Sequence, residues 1–250
     1  MDMTRPPIQA AIKHFPGQAI LYDPRLMPDP EPEHFTPAYW LQTNAVCGRA
    51  STGRQPPLYV LHQGTELVLR LFQHGGALQS VLQDRYVWTG HARSRSWREW
   101  RLLARLSELG LPVPRPAAAS VSRRGMLYSA ALITQRIPGA VPLSNHLASL
   151  RLQPNDWIRL GTLLARFHLA GVDHPDLNAH NILLDAQGAF WLVDFDRGRI
   201  RPPHPGWQQS NLKRFKRSLD KISFQQTGRP GDPGVWAGFL AGYRTASPAP

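Results

Sequence analysis

Residues 174–181 read HPDLNAHN, and the apolar run Ile182, Leu183, Leu184 follows at once. Thirteen residues after Asn181 comes the triplet Asp194-Phe195-Asp196, behind a second apolar run at 190–193. Two short strands, each with polar groups at one end, make a site suited to something charged. Asp or Asn taken singly is most often a turn former. Asp176, Asn181 and Asp194 at these spacings, each beside an apolar strand, point to chemistry instead. Phosphoryl transfer needs a carboxylate to position or accept the proton of an attacking hydroxyl, and oxygen ligands for Mg²⁺ on the nucleotide phosphates. On that reading Asp176 is the base, and Asn181 and Asp194 are the metal ligands. A rival reading takes His168, His174 and His180 with Asp176 as a transition-metal site. The histidines lack repeated i, i+4 spacing and no cysteine supports them, so His174 is expected to brace the loop by hydrogen bonding.

Composition sets the surroundings. At 250 residues and 42% hydrophobic content, the chain is long enough for a substantial core. No apolar run reaches the roughly 18 residues of a membrane span. The N-terminus, MDMTRPPIQA, lacks a basic-then-apolar signal pattern. The single cysteine, Cys47, excludes an internal disulfide and fits a reducing compartment, so a cytoplasmic protein is expected. The net charge is +12, which draws a chain to polyanions such as nucleic acid, anionic lipid or phosphorylated substrates. Residues 197–217 hold seven Arg or Lys and no acid, and Arg93, Arg95, Arg98 and Arg101 form a second group.

Residues 23–37 carry five prolines and read as loop or extended structure. Strands are expected at 58–62 and 66–72 about a turn at Gln63-Gly64. Residues 94–109 read as an amphipathic helix with Ser94 or Ser96 as its cap and Gly110 as its stop. LPVPRP then breaks helical structure, and 126–135 reads as a strand pair. Helices are expected at 143–150, 156–170, around 211–222 and around 235–243. A strand-rich half with one helix thus precedes a helix-rich half with a short hairpin, and a ligand cleft is expected between them.

Two further features bear on a phosphate site. GRASTGRQ, residues 48–55, has the glycine spacing of a Walker A loop, but Arg54 and Gln55 replace its Lys and Ser/Thr. It precedes a strand, so a turn covering phosphates with its backbone and a plain surface hairpin both stay open. Glu99 shares a helix face with Leu103 and Leu106 and needs a cationic partner there. Arg70 in the preceding strand and Arg95, four residues before Glu99, are the candidates.

HPDLNAHN is similar to the protein kinase catalytic loop H-R-D-x-x-x-x-N, and VDFD stands where those enzymes have D-F-G. GVDHPDLNAHNILLD, WLVDFDRGRIR, DRYVWTG, RSWREWRLLARL and WQQSNLKRFKRSL together resemble the 3-deoxy-D-manno-octulosonic acid (Kdo) kinase family, lipopolysaccharide inner-core kinases of Gram-negative bacteria. The resemblance runs from about residue 44 to 219. It implies an α+β, protein kinase-like two-lobed fold, with an antiparallel sheet and one helix in the N-lobe and a mainly helical C-lobe. The division expected is a proline-rich extension at 1–38, an N-lobe at 39–137 and a C-lobe at 138–250. The activity implied is transfer of the γ-phosphate of ATP, with Mg²⁺, to the 4-hydroxyl of Kdo on a lipid A precursor. The partners implied are that lipid and the anionic inner-membrane surface, with the protein peripheral on its cytoplasmic face, and no nucleic acid. By motif, Asp176 is the base, Asn181 and Asp194 bind the metal, Arg70 grips the α- and β-phosphates with Glu99 as its helix partner, and Gly48, Arg49 and Gly53 fall in the glycine-rich loop. Arg70 stands where kinases usually have lysine, Asp196 replaces the D-F-G glycine, and Pro175 lies inside the catalytic loop. Other small-molecule kinases with an H-x-D-x-x-x-x-N loop, and a non-catalytic polyanion binder on the same scaffold, remain alternatives. A protein kinase fits less well, because only 56 residues follow Asp194.

Overall fold

A computed structural model describes residues 7–50, 56–72, 86–148 and 152–246. The chain divides into two compact units, residues 1–109 with 114–136, and residues 110–113 with 137–250. The first is a sheet carrying one long helix and the second is mainly helical, so the α+β class and the order of the two halves are as expected.

The sheet of the first unit is antiparallel. Its strands are β1 (Ala11–Phe15), β2 (Gln18–Tyr22), β3 (Val46–Arg49), β4 (Leu58–His62), β5 (Thr65–Leu71), β6 (Tyr86–Val87), β7 (Pro116–Arg124) and β8 (Leu127–Gln135). They are ordered β1-β2-β7-β8-β5-β4-β3, with β6 also on β8. Alternation sets the buried face: Leu58 and Val60 of β4 meet Leu67 and Leu69 of β5 in the core, while their neighbours turn outward. The β4–β5 turn falls at Gln63-Gly64, where φ is +47° and +77°, as a two-residue hairpin of the I′ kind requires.

Three expectations give way here. Residues 11–22, read above as part of a proline-rich extension, form the β1–β2 hairpin, and β2 pairs with β7. The proline-rich stretch is built into the same core through Met27 and Phe35, a short 3-10 turn at Pro32–Phe35 and helix α1 (Pro37–Gln42). Asp23, fully buried, ties it down by accepting from Arg115 at 2.7 Å. Residues 127–135 form one strand, not two. Its partner β7 begins PAAAS, a run with no strand signal, and its small buried side chains sit at the centre of the sheet under a helix. Propensity is overridden there by packing.

That helix, α2 (Arg95–Glu108), lays Trp97, Trp100, Leu103 and Leu106 on the sheet, with Glu99 on the same face. Ser94 takes the N-cap position, as expected, but neither serine makes a side-chain capping bond. The Ser94 hydroxyl donates backward to the His91 carbonyl at 2.7 Å, and the Ser96 hydroxyl donates to Ser120 O of β7 at 2.9 Å. Gly110, at φ +67°, follows the helix end.

The second unit has α3 (Leu143–Ala148), α4 (Pro154–Leu169), α5 (Pro205–Thr227) and α6 (Pro233–Ala246). Two small sheets carry its strands: β9 (Val141–Pro142), β11 (Ile182–Leu184) and β12 (Phe190–Leu192) in one, β10 (Val172–Asp173) and β13 (Arg199–Ile200) in the other. Helix α5 runs past both ends of the expected 211–222, because Pro205 opens it and Gly228, at φ +71°, closes it. Helices α4 and α6 press together backbone to backbone at Gly161 and Gly242, where an added Cβ would lie 2.0 Å from a carbonyl oxygen of the other helix.

Candidate active site

The loop begins where α4 ends. Gly171 turns the chain at φ +76°, and a Cβ there would meet the Arg201 carbonyl at 2.3 Å. Only glycine fits. The turn launches β10 against β13, with buried Asp173 accepting from Arg199 at 3.0 Å and Arg201 at 3.2 Å. Two cations of the basic segment are therefore already engaged.

His174 follows, buried with its ring 4.6 Å from that of Phe195. Its Nε2 lies 3.1 Å from the Val193 carbonyl and so carries the proton it donates. Burial pushes its pKa down and keeps the ring neutral. This bond ties residues 174 and 193, and with them the two acidic clusters.

Asn178 then organises the loop. Its side-chain oxygen accepts from the backbone N–H of His180 at 2.9 Å and of Asn181 at 3.2 Å, an Asx turn. Its amide donates to the Asp176 carbonyl at 2.9 Å, and the Asn181 amide donates to the same oxygen at 3.0 Å. Two side chains thus hold the Asp176 backbone while its carboxylate stays exposed. The Ser218 hydroxyl of α5 accepts from Ala179 N at 3.1 Å and fastens the loop from below.

Asn181 leads into β11, which pairs with β12 through Ile182↔Leu192. Asp185 staples their turn by accepting from Gln187 N, Ala189 N and the Trp191 indole. The ladder continues as Val193 N donates to Asn181 O at 3.0 Å, which sets Asp194 beside Asn181. Asp194 has φ +63°, a left-handed conformation that a residue with a Cβ holds only where its surroundings impose it. Because the Asn181 nitrogen is engaged with Asp176 O, its side-chain oxygen is the end left for a cation. The backbone ladder brings Asn181 and Asp194 near each other, and an amide oxygen with a carboxylate is the kind of hard donor set that suits Mg²⁺.

In the first unit Arg70 of β5 pairs with buried Glu99 of α2. Arg95, the other candidate, stacks over Tyr86 at 4.6 Å and Phe72 at 5.6 Å. Gly48 and Arg49 lie in β3, where a bulge between Val46 and Gly48 shifts the register against β4. Gly53 lies outside the described residues.

The other imidazoles have different work. His168 is buried with its Nδ1 2.6 Å from the Tyr243 hydroxyl. Among the described residues no group of three His, Cys, Asp or Glu is arranged to hold a metal ion.

Sequence reasoning missed Asn178 as organiser and Arg214 as neighbour of the base. Arg214 Nη1 lies 3.2 Å from Asp176 Oδ1. Asn178 left a legible signal, an Asx residue two before a backbone N–H it can reach; Arg214 left only its place in a basic run. Beside the Asp176–Arg214 pair is a pocket of about 500 Å³.

The family described as "Lipopolysaccharide kinase (Kdo/WaaP) family" matches residues 38–242. A protein of Xanthomonas oryzae pv. oryzae (strain PXO99A), named 3-deoxy-D-manno-octulosonic acid kinase, is 42% identical over 86% of this chain and 85% of its own length. Proteins of the same name from Stenotrophomonas maltophilia (strain R551-3) and Xylella fastidiosa (strain M12) are 43% and 41% identical, each over 82% of this chain and 81% of their own lengths.

Proposed function

The chain belongs to the lipopolysaccharide kinase (Kdo/WaaP) family, and from that premise we propose that it transfers the γ-phosphate of ATP to the 4-hydroxyl of a Kdo residue on a lipid A precursor. The observation that carries this reading is the loop in which Asn178 and Asn181 both hold the Asp176 carbonyl while Val193 sets Asp194 beside Asn181.

In the reaction the acceptor oxygen attacks phosphorus and the bond from phosphorus to the ADP oxygen breaks. Asp176 accepts the hydroxyl proton as the new bond forms. The fixed backbone aims that carboxylate, which is a positioning contribution made before substrate arrives. Asn181 and Asp194 would hold Mg²⁺, which neutralises charge developing on the transferred phosphoryl group. Arg70 supplies a fixed cation for the nucleotide phosphates. Its pairing with Glu99 and its place over the Phe72 ring, 4.6 Å away, restrict the guanidinium to one direction.

The acceptor is an anionic lipid, and a net charge of +12 favours residence at an anionic membrane surface. We place the protein peripherally, on the cytoplasmic face of the inner membrane. No helix among the described residues is long and apolar enough to cross a membrane.

The test is transfer of labelled phosphate from Mg-ATP to Kdo–lipid IVA, with Asp176→Ala in parallel. Lipid labelling that disappears in the variant supports both reaction and base. ATP hydrolysis by wild type with no lipid labelling refutes the acceptor. Labelling that persists in Asp176→Ala refutes the base.

A further inference from the structure

We propose that the pocket beside Asp176 is a carboxylate subsite for the acceptor sugar, in which Arg217 and Lys221 hold the carboxylate and Arg214 bridges it to Asp176. This rests on the kinase reading above and names how the acceptor is recognised.

The pocket, about 500 Å³, is lined by Asp176, Asn178 and His180 of the loop and by Arg214, Arg217 and Lys221 of α5. The three cations stand at i, i+3 and i+7, so one helix face presents all of them. That face is held in place because Phe215, Leu219 and Ile222 of the same helix are buried. Like charges at such spacings destabilise a helix, so an unfilled anion site is the economical explanation for keeping them together.

Charge balance separates this pocket from its neighbour. A second pocket on α5, of similar volume, is lined by Ser210, Lys213, Lys216 and Arg217, but Asp220 lines it too and pairs with Lys216 at 2.7 Å. In the pocket beside the loop the carboxylate present is Asp176, and Arg214 is on it. Among the described residues neither Arg217 nor Lys221 has a carboxylate partner. Two cations are thus left for an incoming anion.

Geometry favours a carboxylate carried by the sugar over a phosphate of the lipid. The reacting hydroxyl must lie at Asp176. An anion on the same ring is then within reach of Arg214 and Arg217, which line the same pocket as that aspartate. Arg214 has five N–H donors, enough to keep its bond to Asp176 and take one to the acceptor. It thereby makes the position of the base depend on the acidic group of the substrate, and it is a positioning residue.

The experiment measures binding of free Kdo, its C1 carboxamide and glucosamine 1-phosphate to the whole protein by calorimetry, with Arg217→Ala, Lys221→Ala and Lys213→Ala. Wild type should bind Kdo at least about tenfold more tightly than the carboxamide, the range for losing one charge-assisted bond. Arg217→Ala and Lys221→Ala should each weaken Kdo by about tenfold and leave the carboxamide unchanged, while Lys213→Ala, on the neighbouring pocket, should bind Kdo as wild type does. Equal binding of Kdo and carboxamide, undiminished Kdo binding in both variants, or no Kdo binding by wild type overturns the subsite. Glucosamine 1-phosphate binding that depends on Arg217 while the carboxamide binds as well as Kdo assigns the pocket to phosphate and overturns the carboxylate. The expected pattern in a protein that labels no Kdo–lipid IVA would leave the subsite standing and refute the phosphotransfer reading. Labelling with an acceptor KM unmoved in Arg217→Ala and Lys221→Ala would do the reverse.

Discussion

Arg214 Nη1 sits 3.2 Å from Oδ1 of Asp176, across 38 residues of sequence, so the loop's exposed carboxylate is met by a cation from α5. The pair is half exposed, and such pairs contribute little to stability. Its importance is positional: the same carboxylate is the proton acceptor in the reaction proposed.

Asp176→Asn should lower kcat by about 10²–10⁴-fold, the range for losing a general base. The Asp176 carbonyl keeps its bonds from Asn178 and Asn181, so the fold and ATP affinity should hold. Steady-state phosphate transfer beside fluorescent-nucleotide binding measures both. A kcat within threefold of wild type would remove Asp176 from the mechanism.

Arg70→Ala should destabilise the protein by about 3 kcal/mol, because Glu99 stays at 2% exposure without the guanidinium it faces. Replacing both, Arg70→Met with Glu99→Leu, should restore most of that stability and none of the activity. Urea unfolding read beside phosphate transfer separates the two roles. A double variant no more stable than Arg70→Ala would argue against the pair as the source of the loss.

Helix packing gives a sharper contrast. Gly161→Ala and Gly242→Ala each put a methyl 2.0 Å from the opposing carbonyl, so α4 and α6 must separate at a cost of about 3 kcal/mol. Gly238→Ala, four residues before Gly242 on the same helix, meets its nearest atoms at 3.8 Å, and should stabilise by up to about 1 kcal/mol. Thermal melts should place Gly161→Ala and Gly242→Ala well below wild type and Gly238→Ala at or above it.

Acid stability should depend on His168. Burial lowers its pKa from 6.5 to about 4, and the neighbouring Tyr243, pushed up to about 12, stays protonated to donate to Nδ1. The folded state resists taking up the proton that the unfolded chain accepts. The stabilisation is therefore complete above pH 6.5 and is lost as pH falls towards 4, amounting to about 3 kcal/mol. Denaturant midpoints from pH 7.5 to 4 should show the gap between wild type and His168→Gln narrowing as the solution is acidified. A constant gap would mean that His168 does not titrate in this window.

The catalytic loop was legible as a local pattern, Asp176, Asn181 and Asp194 spaced beside two apolar runs, and the bonds that organise it are also short in sequence. Asn178 reaches residues two and three ahead, and Asn181 reaches back five. The Gln63-Gly64 turn and the apolar periodicity of α2 were legible for the same reason. The central strand β7 was not, since alanines have no strand signature and only the demand for small side chains beneath α2 selects them.

What the amino-acid sequence determined by itself is the local chemistry: the Asp176, Asn181 and Asp194 set, the hairpin between them, and the helices that flank it. Hydrogen bonds spanning a few residues shape the Asn178 turn and the Asp185 turn of that hairpin. The Arg70–Glu99 pair was already expected by motif, but tertiary structure alone decided other partners of charged groups: Arg115 for Asp23 across 92 residues and Arg214 for Asp176. Those choices depend on where whole strands and helices come to rest, a sum of many weak contacts that leaves no mark at any one position in the chain.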